Sequence, residues 1–246
     1  YPDISNEDYH ADPCPEPSLS SSLAKLLITK TAAHARLAHP KLSPAYEPTN
    51  KAAFDLGSVA HSMMLHDDRD IVVLEYDAYR TGAAKAARDE AYAKGKIPIL
   101  AAQYEVACAM VRAGRAQLDN HDEAWEAFRK GYGQSEQTII WRDGPENFPI
   151  WCRMRLDWKP NNGNVFWDYK TTGGAASPTD WVRTMLNTGG DVQNGHYRRG
   201  IEKQLGVPDP HFRFVVQETE PPYALAVHEL DPFFNNIAAR KADAAV

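Results

Sequence analysis

The chain has 246 residues, of which 43% are hydrophobic and 24% are charged, and its formal net charge is −6 at pH 7. This composition fits one globular domain with a sizeable core, and the negative charge argues against nucleic-acid binding through a uniformly basic surface. A local basic groove, or an acidic site neutralised by a metal ion, is compatible with it.

Three cysteines, Cys14, Cys108 and Cys152, lie far apart in the sequence. Their odd number and wide spacing predict free thiols in a reducing compartment, without a zinc or iron–sulfur site. No apolar run reaches the ~18 residues of a membrane helix, and no signal peptide is visible. We therefore expect a cytoplasmic protein that makes no membrane contact.

The first 130 residues are predicted to be mainly helical. Residues 1–17 are rich in Pro and Asp and predict an extended lead-in, and the hydroxyl residues of "PSLSSSLAKLL" precede leucines at helical spacing. The further elements expected are a helix opening at Thr49, a strand at 70–76, a mobile helix or partly disordered loop at 80–96, and helices at 99–119 and 122–130.

Beyond Gly133 the apolar period changes to two, which predicts strands. Three strands, at 135–141, 148–158 and 165–170, are separated by the turn sequences "RDGPEN" and "KPNNGN". The later elements expected are a helix capped by Ser177 and Pro178, a helix at 191–205 ending at Gly206, strands at 211–218 and 223–230, and a helix from Asp231 and Pro232. This order predicts one domain (1–246) of mixed α/β or α+β class, with an extended lead-in (1–17), a mainly helical part (18–130) and a sheet with flanking helices (131–246).

The stretch "VFWDYKTTGG" places an acid and a lysine at the end of a buried strand. Alternation puts Asp168 and Lys170 on the same side of their strand, and Asp157 can converge with them from the preceding strand. Glu136 can join them from the strand before that. Grouped carboxylates repel one another unless a cation lies between them, and such oxygen ligands suit Mg²⁺ or Mn²⁺. The alternative is a merely structural Asp–Lys pair, because short motifs often match by chance.

The segments "EQTIIW", "RMRLDW" and "FWDYKTT", in this order, resemble the active-site core of the PD-(D/E)XK nuclease superfamily. The segments "ISNEDYHADP", "LSSS", "DLGSVAH" and "DVQNGHY" are similar to the nuclease domain of phage-type exonuclease VIII. The similarity runs from Ile4 into the strands after Gly206. It implies a restriction-endonuclease-like core, with a central mixed sheet flanked by helices and an N-terminal helical elaboration.

The resemblance also implies roles for single residues. Asp157 and Asp168 would be the principal metal ligands, with Glu136 as a further ligand or an acid close to them. The Tyr169 carbonyl would also reach the metal, and Lys170 would be the catalytic lysine.

Two helices would bring further groups to this site. His61, four residues after Gly57 on one helix face, would serve a second metal position, although a lone helical His is more often a surface or core residue. Gln193 and Tyr197 match a Q-x-x-x-Y signature that would hold a DNA phosphate or position the lysine. The alternative for this pair is an ordinary polar helix face.

Four residues are candidate DNA contacts. Ser20 and Ser22 lie at a helix start, where free N–H groups favour an anion, although simple capping explains them equally well. Arg153 and Arg155 would meet the DNA backbone or, equally, neutralise the carboxylates.

The activity that the resemblance implies is that of a Mg²⁺-dependent exodeoxyribonuclease, with Mn²⁺ able to substitute. It would digest linear double-stranded DNA from its ends, 5′ to 3′, and leave 3′ single strands for a single-strand annealing protein in phage-type recombination within a bacterial host. A ring-shaped homo-oligomer is implied as well. Some relatives carry an iron–sulfur cluster on cysteines after the Gln-Tyr signature, but no cysteine follows Cys152 here, so no such cluster is expected.

Three alternatives stay open at this point. One is a structure-selective or sequence-specific endonuclease on the same core. The others are a catalytically decayed DNA-binding module and a metal-binding or ion-paired structural domain.

Overall fold

A computed structural model describes residues 4–46, 56–66 and 70–246. Within these ranges the helices are α1 (Asn6–His10), α2 (Ser21–Thr29), α3 (Ala32–Leu37), α4 (Leu56–Met64), α5 (Gly82–Ala93), α6 (Ala101–Asp119), α7 (Pro178–Thr188), α8 (Gly190–Gly200) and α9 (Pro232–Ala245). The α8 helix continues into a π-helical turn, Ile201–Leu205. The strands are β1 (Ser18–Leu19), β2 (Ile71–Leu74), β3 (Ile97–Leu100), β4 (Gly133–Asp143), β5 (Ile150–Pro160), β6 (Val165–Thr172), β7 (His211–Glu218) and β8 (Leu225–Glu229).

A mixed sheet lies at the centre of the described chain, as the sequence predicts. Its strands run in the order β1-β5-β6-β7-β8, and β4 pairs with β5. β4, β5 and β6 form the predicted antiparallel meander, whereas β7 is parallel to β6 and antiparallel to β8. A parallel neighbour requires a long crossover connection, which α7 and α8 provide. β2 and β3 form a separate parallel pair.

Capping residues define the helix ends in the second half of the chain, as predicted. Ser177 and Asp231 accept hydrogen bonds from backbone N–H groups at the starts of α7 and α9. The π-helical turn after α8 stops at Gly206, whose φ of +65° is a left-handed conformation that glycine adopts without a steric penalty.

Helices cover both faces of the sheet. On one face Met154 and Leu156 of β5 and Phe166 of β6 pack against α2, α8 and α9. On the other face Tyr169 and Val215 pack against α4 and α6. The candidate site lies between these two apolar layers. There, polar side chains of the central strands face α4 and α8.

Several boundaries in the first half differ from the sequence prediction. Residues 122–128 form turns rather than a helix, because Ala124, Ala127 and Phe128 are drawn into the core and Phe128 takes a φ of +55°. A short isolated helix has little stability of its own, so such packing outweighs its propensity. The lead-in predicted to be extended contains α1, which is capped by Ser5.

Two further differences concern β3 and Leu19. A strand, β3, precedes α6 and was not predicted. Leu19 belongs to β1 rather than to the helix that follows, because its backbone pairs with Cys152. Residues 80–96 contain the helix α5, and a helix was one of the two forms expected for this segment. The predicted helix start at Thr49 lies outside the described residues, and the described part of that helix begins at Leu56.

None of the helices in the described ranges has both the length and the apolar character needed to cross a membrane.

Candidate active site

Three potential metal ligands converge from α4, β4 and β5. His61 Nε2 lies 3.0 Å from Asp157 Oδ2, and His61 Nδ1 lies 4.0 Å from Glu136 Oε1. One ligand atom from each of these residues lies within 4.8 Å of the others, and no other cluster of this kind occurs in the described ranges. Strand parity predicts that Glu136 and Asp157 meet, and the family resemblance implies a metal position for His61.

Strand register explains why Glu136 meets Asp157. Ser135 pairs with Trp158 and Gln137 pairs with Leu156, so Glu136 lies directly opposite Asp157. Glu136 has a φ of +54°, which is unusual for a residue with a side chain and costs free energy that the surroundings must offset.

The Arg155 guanidinium holds the Glu136 carboxylate in place. It bonds Glu136 Oε2 through Nε and donates from Nη1 to the Ile4 carbonyl at 2.9 Å and to Thr138 Oγ1 at 3.0 Å. Of the two roles open for Arg155, the structure therefore displays the neutralisation of a carboxylate. The same contacts anchor the N-terminal segment beside the site.

The site opens where β5 and β6 separate. Trp158 and Trp167 form the one registered pair between these strands. Beyond it, the backbone N–H of Tyr169 donates to Asp157 Oδ2 at 2.8 Å instead of to a strand carbonyl. Asp157 thus replaces a lost ladder bond and is held rigidly.

Asp168 is contacted by α8, which lies on the other side of the sheet from α4. Its side chain is fully buried, with Oδ2 at 2.5 Å from Lys170 Nζ and Oδ1 accepting from Gln193 Nε2 at 2.7 Å. Asp168 does not belong to the cluster of three ligands, so the sequence prediction that all three carboxylates meet at one point holds only in part. Asp157 contacts His61 of α4, whereas Asp168 contacts Gln193 of α8 and Lys170.

Two side chains of α8 dock this helix on β5. His196 Nε2 donates to the Arg153 carbonyl at 3.1 Å, and Tyr197 Oη donates to the Arg155 carbonyl at 3.0 Å. β5 pairs with β1 before this point and with β6 after it, so these carbonyls lie in the gap between the two partner strands. Tyr197 is buried, and its hydroxyl holds the backbone of β5.

Burial and neighbouring charges shift the pKa values of the ionisable side chains in the site. Burial, reinforced by the Asp157 carboxylate, raises the pKa of Asp168 to about 6, and the same two causes raise the pKa of Glu136. Burial opposes ionisation of His61 and Lys170 as well, but neighbouring carboxylates outweigh it and raise their pKa values. Burial would also raise the pKa of Asp157, but the facing His61 outweighs it and lowers that pKa.

The donor set fits a hard divalent cation. Carboxylate oxygens are the preferred ligands of Mg²⁺ and Mn²⁺, and a cation would offset the repulsion that raises the Asp168 and Glu136 pKa values. The imidazole of His61 is a ligand that Mn²⁺ accepts more readily than Mg²⁺. A cation held there would have Glu136, Asp157 and His61 within reach.

A cleft of about 610 Å³ leads to these residues. Gly57 and His61 line it from α4, as their spacing predicts, together with Glu136, Arg155, Tyr169 and Lys170. Asn6, Ser58, Ser62 and Thr171 line it too, and sequence analysis missed them. Ser58 and Ser62 share the i, i+4 spacing of Gly57 and His61, which was the available signal, whereas nothing local marked Asn6 or Thr171.

Three of the predicted DNA contacts lie outside the cleft lining. Arg153 is buried under the N-terminal segment, where it pairs with Asp12 at 3.3 Å and donates to the Ser18 carbonyl at 3.0 Å, so it is not available to DNA. Ser20 is buried and caps α2 by accepting from the Leu23 N–H, which is the capping role left open for it. Ser22 is exposed on α2.

Comparison with known proteins places the chain in a family. The family described as "PDDEXK-like domain of unknown function (DUF3799)" matches residues 20–245. The crystal structure of a "Putative exonuclease" from Eubacterium rectale superposes with a TM-score of 0.61 at 13% identity, covering 98% of this chain and 82% of that one. The structure of SSO0001 superposes with a TM-score of 0.32 at 12% identity, covering 76% of this chain and 84% of the other.

No curated protein is significantly similar in sequence. The match over residues 20–245, together with the shared fold, confirms the PD-(D/E)XK resemblance of the sequence. The chain belongs to the PDDEXK-like family DUF3799.

Proposed function

We propose that this protein is a Mg²⁺-dependent deoxyribonuclease that digests linear duplex DNA from its ends. The observation that carries the proposal is the cluster of His61, Glu136 and Asp157 beside the buried Asp168–Lys170 pair, on a PD-(D/E)XK fold. A metal-dependent nuclease needs groups that bind a metal and a cation that meets the phosphate, and both kinds of group lie together here.

Each of the chain's own groups has a part in this reaction. A divalent cation at the cluster supplies Lewis-acid stabilisation of the phosphate and lowers the pKa of water. Lys170 lines the cleft with its ammonium held by Asp168, so its charge can face the phosphate as negative charge develops there. Gln193 fixes the other oxygen of Asp168, and Arg155 fixes Glu136, which keeps the acids oriented.

End-dependent digestion is favoured by two likenesses. The chain resembles the nuclease domain of phage-type exonuclease VIII in four segments, and the Eubacterium rectale protein of similar fold bears the name exonuclease. A 5′ to 3′ direction, with 3′ single strands left for an annealing protein in phage-type recombination, follows from the first likeness. So does a homo-oligomeric ring around the DNA.

The first experiment compares linear and covalently closed circular duplexes of one sequence. Mg²⁺ or Mn²⁺ should support digestion of the linear DNA, the circle should stay intact, and a label at the 5′ end should be released before a label at the 3′ end. Ca²⁺ should allow binding with little turnover, because its looser coordination misplaces the reacting groups. Cleavage of the circle would instead favour the endonuclease, and undiminished digestion in excess chelator would refute the metal site.

Lys170→Ala tests the central assignment. This variant should keep its fold and its Mn²⁺ binding but lose most turnover, because the lysine charge acts mainly in the transition state. Turnover at the wild-type rate would refute the role of Lys170. A wild-type protein that binds DNA without cleaving it under any metal would favour the decayed module.

The ring is tested separately. A protein that encloses its substrate should keep shortening a labelled duplex after excess unlabelled DNA is added, and it should migrate as an oligomer in solution. A monomer, or an oligomer that stops when competitor is added, would refute the ring without affecting the metal cluster.

A further inference from the structure

One segment next to the candidate site carries charge of the opposite sign to the chain as a whole. Residues 80–96 contain five cations and two carboxylates, a net charge of +3 within a chain of net charge −6. The cations are Arg80, Lys85, Arg88, Lys94 and Lys96. A local excess of this kind attracts polyanions even when the whole molecule is acidic.

The structure brings the end of this segment to the cleft. Gly95, Ile97 and Asp70 line the same cleft as His61, Glu136 and Lys170. Gly95 lies between the two lysines Lys94 and Lys96, in a turn where its φ of +66° suits glycine and its Cβ position faces open space. Lys94 and Lys96 do not themselves line the cleft, but they are the chain neighbours of Gly95, so a lysine lies on each side of a residue that does.

This wall is fixed relative to the metal ligands. Ile97 and Ile99 of β3 pack with Val59 and Met63 of α4, which is the helix that carries His61. The Ile97 N–H also donates to the Asp70 carbonyl at 2.7 Å, which ties β3 to the start of β2. The backbone next to Lys96 is thereby tied to the helix that carries His61.

Both lysines can exchange their present partners. Lys96 Nζ lies 2.6 Å from Asp70 Oδ1, and Lys94 Nζ lies 2.6 Å from Glu90 Oε1. All four side chains are more than a third exposed, and exposed pairs of this type contribute little to stability. A phosphate diester, with its permanent charge and several acceptor oxygens, competes well for such ammonium groups.

We infer that the β2–α5–β3 unit (residues 70–100) is a DNA-backbone-binding wall of the cleft, on which Lys94 and Lys96 contact phosphates next to the one to be cleaved. The inference rests on the proposed function and names where that site holds its substrate. The positive charge concentrated beside the cleft would let a protein that is acidic as a whole bind a polyanionic substrate.

The test is the salt dependence of DNA binding in chelator, where cleavage does not interfere. Anisotropy of a labelled duplex is measured for the wild type, for Lys94→Ala/Lys96→Ala and for a control, Lys30→Ala/Arg240→Ala. The control removes the same charge from two exposed residues outside residues 70–100, Lys30 directly after α2 and Arg240 in α9. The cleft variant should bind about tenfold more weakly or worse at ~0.1 M salt, and its slope of log affinity against log salt should fall by up to about 2.

Further measurements distinguish a direct phosphate contact by these lysines from a general loss of charge or of folding. Lys94→Arg/Lys96→Arg should keep the wild-type slope, and each single Ala variant should lose about half of the change. If cleavage is measured in Mg²⁺, KM should rise while kcat at saturating DNA stays unchanged. Thermal unfolding reports whether each variant is folded.

Three results would overturn the inference: wild-type protein that does not bind duplex DNA, equal slopes for the wild type and the cleft variant, or an equal loss in the control. A protein whose binding depends on Lys94 and Lys96 but that cleaves nothing in Mg²⁺ or Mn²⁺ would refute the proposed function and support the wall.

Discussion

Acidification should destabilise the folded protein through one side chain, His196. This imidazole is fully buried, its Nε2 donates to the Arg153 carbonyl at 3.1 Å, and its Nδ1 has no partner among the described residues. Burial lowers the pKa of His196 from 6.5 to about 4, so the ring is neutral in the folded state where the unfolded chain would already be protonated.

The sign and size follow from this difference. Above the unfolded pKa both states are neutral and the full stability is present; as pH falls below it, the unfolded state takes up the proton first. Stability is therefore lost between about pH 6.5 and the folded pKa of about 4. From about pH 7.5 to about pH 5 the loss amounts to about 2 kcal/mol.

The assay is urea unfolding of the wild type and of His196→Gln at both pH values. Glutamine cannot titrate in this range but retains an N–H donor for the Arg153 carbonyl. The difference between the two proteins should change by about 2 kcal/mol in favour of the variant on acidification, while other titrating groups, Asp168 included, cancel. A difference that does not change with pH would refute the reasoning and imply that the ring is solvated or protonated in the folded protein.

Three further substitutions test the site and its support. Gln193→Ala removes the donor to buried Asp168 Oδ1, the carboxylate that holds the Lys170 ammonium. Because hydrogen bonds to charged groups contribute about 1.5–3 kcal/mol, kcat at saturating Mg²⁺ should fall about tenfold or more, and an unchanged kcat would contradict this. His61→Ala should raise the Mg²⁺ requirement, with partial rescue by added Mn²⁺, and a neutral result at ordinary Mg²⁺ would assign His61 to packing alone. Gly195→Ala would place a Cβ 2.2 Å from the Ala238 backbone oxygen, so unfolding in urea should show a loss of about 1–3 kcal/mol, and wild-type stability would contradict the close α8–α9 contact.

The alternation of apolar and polar residues, together with the capping residues, was enough to predict the elements in the second half of the chain. The alternation of Met154 and Leu156 with Arg155 and Asp157 defines a strand with one apolar face, and this face packs as predicted. Caps at Ser177, Asp231 and Gly206 are local interactions, which is why the helix ends near them were predictable.

The candidate site was partly predictable for the same reason. Glu136 and Asp157 were found because strand parity and the pairing of adjacent strands are properties of short stretches of sequence. The metal role of His61 came from the resemblance to PD-(D/E)XK nucleases, because helical spacing alone leaves a lone histidine ambiguous.

Contacts between distant segments decided the rest. Asp157 contacts His61 and Asp168 contacts Gln193, and these partners come from two helices that no local pattern places beside the strands. The burial of Arg153 depends on Asp12 and Ser18, more than 130 positions earlier in the chain. Tyr197 became a support for the Arg155 carbonyl only because α8 crosses a gap between two partner strands. These outcomes depend on which surfaces meet in the folded chain, and that is determined by packing of the whole core rather than by any segment within it.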